Sequence, residues 1–497
     1  MSNSDTAIAT EVIAFKPSFY NFVIQATDED YLLYNTKNTG LIQLDASDGA
    51  FVESLNGLQR IDPDDYPEKK ALLVDLRNRG FLLDYDNDER GELHKVYSLE
   101  KDTYTKDAAD INLTIGTTIL CNMGCSYCFE FVKPNKTLKD ETIMDDIIVY
   151  LRDMMQKSPV RTWRDMSVVW YGGEPLINKK AIEKLSPMLI ELCEEYGMQY
   201  KAEIITNGLL LDETTWGILK ENKVKNVQVT LDGPKEIHDK NRPLLGSKKF
   251  GNYDRIMKNL SIMPEGMFLA LRINLDKKVF DRFEEMLDDL QNNNIWPQRQ
   301  EAVTINIAWL RTYEEEMQKT EVTDRFDTHG FYHALMELKL LKRKKYNDWA
   351  VTQGRKPAKI AWELPELQSE CATWVSPFSL VIDPEGNIHK CWETIHDDKQ
   401  CVTNVKEGFR KEDFDFYSDY DRYNTPHEKC NDCKFVPICD QLSCSHQVVG
   451  EKEPPCTYWK YVLEDSLRDQ FRFMKENAGI MTINNEERNL NKNHSNK

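Results

Sequence analysis

Between residues 111 and 310 the sequence alternates between strand-like and helix-like segments, and this alternation constrains the fold more than any other feature. Six apolar segments with the character of buried strands are separated by amphipathic segments with helical periodicity. Such an order predicts parallel strands joined by helical crossovers, because parallel neighbours cannot be joined by a tight turn. Six repeats are fewer than the eight of a closed barrel. The sequence therefore predicts an α/β fold whose central domain, residues 106–310, is a partial (β/α)6 barrel.

A loop with three cysteines follows the first of these strands. Its sequence, CNMGCSYC, places Cys121, Cys125 and Cys128 at the spacing C-x3-C-x2-C. In barrels of parallel strands, catalytic groups lie at the carboxyl ends of the strands, where this loop begins. Three thiolates can bind three irons of a [4Fe–4S] cluster and leave the fourth iron open, whereas a structural zinc ion requires four ligands. The loop therefore predicts an iron–sulfur cluster with an open coordination position.

Residues 1–105 have the pattern of a separate small domain. A strand-like segment is followed by a hairpin whose turn falls at residues 38–40, by two helix-like segments, and by a strand at residues 81–86. Residues 87–109 are a polar stretch. This order predicts a winged-helix-like domain. Winged helices often bind DNA, but a net charge of −19 argues against a nucleic-acid partner, so a peptide is the predicted partner.

Eight of the remaining nine cysteines lie between residues 371 and 456. The ninth, Cys193, falls in a helix-like segment and is predicted to be a small buried apolar side chain. The absence of a signal-peptide pattern predicts a cytoplasmic protein, in which disulfides are rare, so the clustered cysteines are predicted to be metal ligands. Their pattern is C-x14-G-x4-C at Cys371, Gly386 and Cys391, then Cys401, then C-x2-C-x5-C-x4-C at Cys430, Cys433, Cys439 and Cys444, and finally Cys456.

The other segments complete the predicted organisation. Residues 311–370 are predicted to be a helical connector with a basic, solvated face. Residues 471–497 are predicted to be the end of a C-terminal helix and a disordered tail. No stretch of the sequence is apolar over the length that a membrane helix needs, so no membrane span is predicted.

The cysteine loop resembles the signature of radical S-adenosylmethionine (SAM) enzymes, C-x3-C-x-aromatic-C, with Tyr127 as the aromatic residue. The resemblance implies that Cys121, Cys125 and Cys128 are catalytic, that SAM binds the open iron, and that reduction of the cluster yields a 5′-deoxyadenosyl radical. It covers residues 110–465. The fold it implies is a partial (β/α)6 TIM barrel with an N-terminal winged-helix-like peptide-recognition domain and a C-terminal iron–sulfur domain.

Further motifs of the same family follow in order along the barrel. The sequence YGGEP resembles the family's GGE motif, which implies that Gly172, Gly173 and Glu174 hold the SAM amino group. Thr230 stands where the family commonly has serine, and His238 is predicted to be a surface or interdomain residue. The cofactor-binding residues implied by the resemblance are Tyr127, Gly172, Gly173, Glu174, Asn207, Thr230, Asp232 and Arg272.

The C-terminal cysteine pattern resembles the seven-cysteine SPASM domain, which binds two auxiliary [4Fe–4S] clusters and is predicted here for residues 371–470. The last spacing is x4 where the family usually has x3, and a zinc ribbon is the alternative. With the SAM-binding cluster, three clusters are implied. The resemblance assigns Cys430, Cys433, Cys439 and Cys456 to one auxiliary cluster and Cys371, Cys391 and Cys444 to the other, whose fourth ligand is Cys401 or substrate.

Together these resemblances imply a peptide-modifying oxidoreductase. Residues 1–105 resemble the recognition element of enzymes that mature ribosomally synthesised and post-translationally modified peptides (RiPPs), which binds a leader peptide. The expected product is a thioether crosslink from Cys to another residue. The alternatives are carbon–carbon or carbon–oxygen crosslinks, and formylglycine formation by an anaerobic sulfatase-maturating enzyme. A non-catalytic iron–sulfur carrier would leave the GGE motif unexplained. The resemblance also implies an electron donor such as flavodoxin or ferredoxin.

Overall fold

The computed structural model describes residues 14–128, 130, 133–246, 251–310, 324–358, 362–449 and 453–476. No helix within these residues is both long enough and apolar enough to cross a lipid bilayer. The chain falls into two compact units. The first combines the described residues of 1–99, 359–370 and 421–497, and the second combines those of 100–358 and 371–420.

The N-terminal part of the chain is built on a three-stranded antiparallel sheet. Its elements are β1 (Phe15–Pro17), β2 (Asn21–Gln25), β3 (Asp30–Asn35), β4 (Leu41–Asp45), α1 (Ala46–Ser54), α2 (Lys70–Asn78), β5 (Leu82–Asp84) and α3 (Glu89–Lys106). The sheet has the order β2-β3-β4, and β1 pairs with β5. Asp45 caps α1 by accepting a hydrogen bond from the Asp48 N–H at 2.8 Å. The hairpin, the two helices and the final strand lie where the sequence predicts them.

The helix α3 differs from the polar stretch described in the sequence. Its residues include strong helix formers such as Glu, Leu and Lys. Near its start, the Asp88 carboxylate accepts a hydrogen bond from the Gly91 N–H at 3.0 Å. Because high helix propensity does not require an apolar periodicity, the hydrophobic pattern does not reveal this helix.

The central domain contains six parallel strands, as predicted. Neighbouring strands pair in chain order with parallel register. The elements are β6 (Ala108–Thr118), α4 (Glu141–Lys157), β7 (Thr162–Gly172), α5 (Lys179–Tyr196), β8 (Gln199–Thr206), α6 (Glu213–Glu221), β9 (Val224–Thr230), α7 (Lys235–Asn241), α8 (Tyr253–Ser261), β10 (Phe268–Leu275), α9 (Lys277–Asp281), α10 (Phe283–Asn292) and β11 (Val303–Trp309). Ile147, Leu151 and Met154 of α4 are buried, and so is Cys193 of α5, as predicted.

The six-stranded sheet stays open because its first strand has another neighbour. On the side away from β7, β6 pairs in parallel with β12 (Ser379–Ile382). The sheet then continues through antiparallel pairs with β13 (Asn387–His389) and β14 (Thr403–Asn404). The order of the nine strands is β11-β10-β9-β8-β7-β6-β12-β13-β14. Since β12 occupies the outer edge of β6, the barrel is partial.

Two of the remaining α-helices among the described residues are long, and the other four span one turn each. They are α11 (Thr328–Thr352), α12 (Ala372–Val375), α13 (Asp415–Ser418), α14 (Glu428–Asn431), α15 (Ser445–Val448) and α16 (Trp459–Glu476). The helix α11 lies in the predicted connector, of which residues 311–323 and 359–361 fall outside the described residues. The predicted disordered tail also falls outside them.

The N-terminal sheet shares a hydrophobic core with the C-terminal helix α16. Ile24 of β2 and Leu32 of β3 pack in one cluster with Leu463, Leu467 and Phe471 of α16. Removal of the N-terminal residues would therefore expose the apolar face of α16 to water. The first unit is one structure made from both ends of the chain.

Candidate active site

The three-cysteine loop begins at the carboxyl end of β6. Each of its thiols interacts electrostatically with another thiol of the loop, and burial raises the pKa of all three. The loop is fixed by two backbone hydrogen bonds of 2.9 Å, from the Gly124 N–H to the Pro243 carbonyl and from the Leu245 N–H to the Asn122 carbonyl. The structure therefore places Cys121, Cys125 and Cys128 within electrostatic range of one another, while their role as cluster ligands stays a prediction.

The aromatic residue of the loop, Tyr127, is held by three buried polar side chains. Arg242 Nη1 donates to the Tyr127 hydroxyl at 2.6 Å, and Asn274 Nδ2 donates to the same hydroxyl at 3.2 Å. The hydroxyl in turn donates to the Asp232 carboxylate, which also accepts from Asn274 at 3.3 Å. Asp232 and Asn274 stand at or beyond the ends of β9 and β10, so this network ties the cysteine loop to two neighbouring strand ends.

Arg242 and Asn274 were not among the predicted site residues. Both are buried. Arg242 lies ten residues beyond Asp232 and acts electrostatically on Asp232 and on the Cys125 thiol. The predicted position of Asp232 at a strand end implies such a partner, because a buried carboxylate requires a cationic or hydrogen-bonding group. No periodicity or spacing identifies that partner.

The two glycines of the GGE motif lie against the backbone that leads into the cysteine loop. A Cβ atom on Gly172 would lie 2.0 Å from the Thr118 carbonyl oxygen, and one on Gly173 would lie 2.4 Å from the Ile119 carbonyl oxygen. The Gly173 N–H donates to the Thr118 carbonyl at 3.0 Å. Only glycine fits these positions, and the close approach fixes the segment that precedes Cys121.

Glu174 connects the ends of β7 and β8. Its fully buried carboxylate accepts from the Leu176 N–H at 3.1 Å, from the Thr206 hydroxyl at 2.7 Å and from the Asn207 N–H at 2.8 Å. The Asn207 side-chain amide donates to the Asn122 side chain at 2.7 Å, which links β8 to the cysteine loop. Glu174 therefore positions Asn207, while its predicted contact with the SAM amino group stays a prediction.

The last two predicted SAM-binding residues are cross-strand neighbours. Thr230 on β9 pairs in register with Arg272 on β10, and both side chains are half-buried. Arg272 Nε donates to Asn274 Oδ1 at 3.2 Å. These side chains therefore adjoin the network that holds Tyr127.

The prediction that His238 lies at the surface or between domains is wrong. His238 is fully buried in α7, and its Nδ1 accepts from the Asp232 N–H at 3.2 Å. Its ring also packs against Tyr253, with 5.5 Å between the ring centroids. Burial lowers the pKa of His238 to about 3, so the ring is neutral and supports the position of Asp232.

The donor set at the end of β6 fits an iron–sulfur cluster. Three thiols of one loop that interact electrostatically are the ligand type and number that a [4Fe–4S] cluster with one open iron requires. The ammonium group of Lys133 lies 3.9 Å from the Cys128 sulfur, where it would offset negative charge. Arg242 supplies a second buried cation beside Cys125.

A second group of thiols lies in the first unit. Cys430 interacts electrostatically with Cys433, Cys439 and Cys456. The Cys439 thiol also accepts hydrogen bonds from backbone N–H groups of residues 441 and 442. Four thiols are the usual ligand set of a complete [4Fe–4S] cluster, so the type and number of these residues fit one.

The remaining predicted ligands are divided between the units. Cys371, Cys391 and Cys401 belong to the second unit and Cys444 to the first. The Cys401 thiol donates to the Thr403 carbonyl at 3.0 Å. Their assignment to a further cluster stays a prediction.

Comparison with known proteins identifies the domain. The radical SAM superfamily matches residues 115–320. Fe-coproporphyrin III synthase of Methanosarcina barkeri is 30% identical over 179 residues, which cover 33% of this chain and 39% of that protein. The cysteine-type anaerobic sulfatase-maturating enzyme of Clostridium perfringens strain 13 is 24% identical over 350 residues, which cover 64% of this chain and 84% of that enzyme.

A solved structure shares the fold. Native anSMEcpe with bound AdoMet and Cp18Cys peptide superposes with a TM-score of 0.51 at 17% identity, covering 75% of this chain and 99% of that chain. The parallel strands β6–β11 agree with this fold, and the three-cysteine loop lies inside the matched residues. Residues 115–320 are therefore a radical SAM domain, and the chain that carries this domain is an enzyme.

Proposed function

We propose that this enzyme modifies a ribosomally synthesised precursor peptide and forms a thioether bond between a peptide Cys and a carbon of another residue. Bound SAM and its cluster would supply a 5′-deoxyadenosyl radical, which would remove a hydrogen atom from the substrate carbon. As the Cys sulfur bonds to that carbon, its thiol proton would be released and the remaining electron would pass to an auxiliary cluster. In this proposal Cys121, Cys125 and Cys128 hold the cluster. The observation that carries the peptide assignment is the open edge of the N-terminal sheet.

The strand β4 presents unpaired backbone groups on one side. Among the described strands it pairs only with β3. The Asn35 N–H donates to the Gly40 carbonyl at 3.0 Å, so Asn35 and Gly40 form a hydrogen-bonded pair. Hydrogen-bonded and non-hydrogen-bonded pairs alternate along two antiparallel strands. Gln43, opposite Leu32, is therefore at a position whose N–H and C=O point away from β3. An extended peptide can add to such an edge through main-chain hydrogen bonds.

The edge strand is joined to a rigid support. The side-chain amide of Gln43 donates to Asp30 at 2.7 Å, and the buried Leu44 belongs to the core formed with α1 and α2. A leader peptide held at β4 would raise the effective concentration of the attached core peptide, which supports modification at low substrate concentration.

A second candidate function is formylglycine formation in a sulfatase. It is supported by the alignment that spans 84% of a sulfatase-maturating enzyme. Those enzymes typically place an Asp directly after the second SPASM cysteine, whereas this chain has Trp392 and then Glu393. The Trp392 ring packs near Tyr171, with 5.6 Å between centroids, so an apolar group stands at this position. This departure favours the thioether proposal.

The proposed cofactors are SAM and three [4Fe–4S] clusters, with flavodoxin or ferredoxin as the electron donor. The test is incubation of the reconstituted enzyme, SAM and dithionite with short Cys-containing peptides encoded beside its gene, and separately with a sulfatase-derived Cys peptide. Tandem mass spectrometry should show loss of two hydrogens with fragmentation blocked between the linked residues. Conversion of Cys to an aldehyde in the sulfatase peptide, with no crosslink in the others, would establish the second candidate.

A further inference from the structure

The buried cation Arg422 lies beside the four-thiol group of the first unit. Its side chain is almost completely buried, with 1% of its surface exposed. Nη2 donates to the Cys439 carbonyl at 2.6 Å. Nε and Nη1 have no hydrogen-bond partner among the described residues. A guanidinium with two unpaired donors in the interior is unfavourable unless a nearby group compensates its charge.

One carboxylate compensates the charge in part. Glu370 accepts from the backbone N–H of Arg422 at 3.3 Å and from the Tyr97 hydroxyl. Burial raises the pKa of Glu370, while the positive charge of Arg422 acts in the opposite direction. The carboxylate therefore has its own buried polar partners, and the Nε and Nη1 donors of Arg422 are not directed to it.

Burial raises the pKa of the Cys439 thiol, and the positive charge of Arg422 acts in the opposite direction. Cys439 is the most buried of the four cysteines, so a negative charge there is screened little by water. A [4Fe–4S] cluster held by four thiolates carries a net negative charge, which becomes more negative on reduction. A buried guanidinium would therefore favour the reduced cluster.

We propose that Arg422 is a positioning residue for the auxiliary cluster of Cys430, Cys433, Cys439 and Cys456. It serves as the buried counter-charge that raises the reduction potential of that cluster, and Glu370 opposes it. This inference rests on the proposed cofactor set. It assigns the tuning of the cluster to charge and hydrogen bonding from outside its ligands.

The test uses the full-length chain in which Cys121, Cys125 and Cys128 are replaced by Ala, so that only auxiliary clusters contribute. Reductive titration followed by electron paramagnetic resonance is compared for Arg422→Gln, Arg422→Lys and Glu370→Gln. Loss of the positive charge in Arg422→Gln should lower one midpoint potential. Loss of the negative charge in Glu370→Gln should raise the same midpoint, and Arg422→Lys should shift it less than Arg422→Gln.

Shifts of the same sign in Arg422→Gln and Glu370→Gln, or no shift in either, would overturn the inference. If Arg422→Gln loses the iron of this cluster, the iron content of Arg422→Lys decides: about four irons more than in Arg422→Gln supports a charge role, and an equal loss in both variants overturns it. The absence of auxiliary iron from the parent chain would instead contradict the cofactor set, so the two failures are distinguishable.

Discussion

Arg242 donates a 2.6 Å hydrogen bond to the hydroxyl of Tyr127, the aromatic residue of the cysteine loop. The two residues are 115 positions apart in the sequence, so this bond joins the segment after α7 to the loop after β6. The same guanidinium acts on the buried carboxylate of Asp232. The position of Tyr127 in the cysteine loop therefore depends on two buried charged side chains outside the cysteine motif.

The first prediction concerns the electrostatic interaction between Arg242 and Asp232. Arg242→Gln leaves the Asp232 carboxylate buried without its cation, and we expect a loss of about 3–5 kcal/mol in the free energy of unfolding. Asp232→Asn removes the charge that requires the partner. The double variant should therefore lose about 1–3 kcal/mol less free energy of unfolding than the two single variants lose when their losses are added. The free energies are measured by urea unfolding of the apoprotein. Strictly additive losses would show that the two groups are not coupled.

The second prediction concerns the edge of β4. Gln43→Pro removes the N–H that points away from β3, whereas Gln43→Ala keeps it, and both variants lose the bond to Asp30. Gln43→Pro should weaken binding of a full-length precursor about 2- to 13-fold, because it removes one main-chain hydrogen bond worth about 0.5–1.5 kcal/mol. Gln43→Ala should bind nearly as tightly as the natural chain. Affinity is measured by fluorescence anisotropy of a labelled leader peptide.

The point variants are preferable to deletion of residues 1–105. Deletion would remove Ile24 and Leu32 from the core they share with α16. A truncated protein would then lose activity through unfolding of the first unit, whatever the role of β4. If Gln43→Pro and Gln43→Ala bind the precursor equally well, β4 is not the docking edge.

The third prediction concerns the GGE turn. Gly173→Ala places a Cβ 2.4 Å from a backbone carbonyl, so the segment before Cys121 must move. We expect Gly173→Ala to lower the rate of 5′-deoxyadenosine formation by at least about tenfold, which corresponds to about 1.4 kcal/mol. The matched control is Gly217→Ala in α6, where a Cβ meets no atom within 4 Å. This control should keep full activity and gain up to about 1 kcal/mol of stability. Equal activity in both variants would contradict the close approach.

The sequence predicts those parts of the fold that depend on local pattern. The six β/α repeats, the hairpin before Asp45 and the burial of Cys193 follow from periodicity and turn residues. The placement of the cysteine loop at the end of β6 follows from the general geometry of parallel barrels.

Other features depend on contacts between distant segments, which no local pattern encodes. The pairing of β12 with β6 and the core shared by Ile24 and Leu467 join residues from opposite parts of the chain. The burial of His238 follows from its contact with Tyr253 on the next helix. Arg242 was missed for the same reason, because its partner Tyr127 is far away in the sequence.

The fourth prediction concerns metal content. Three clusters correspond to about twelve irons per chain after anaerobic reconstitution. Replacement of Cys121, Cys125 and Cys128 by Ala should lower this to about eight, because the auxiliary ligands are unchanged. Iron and sulfide are measured by colorimetric assay. Stoichiometric zinc with little iron in the natural chain would contradict the proposed cofactor set.

The measurement that tests the central claim most directly is the yield of 5′-deoxyadenosine from SAM and dithionite. The natural chain should produce it, and the variant in which Cys121, Cys125 and Cys128 are replaced by Ala should produce none above background, although it retains its auxiliary iron. Cys193→Ala, which changes a buried thiol of α5, is the control and should retain the activity. If the triple variant formed 5′-deoxyadenosine as fast as the natural chain, the loop after β6 would not be the site of SAM cleavage.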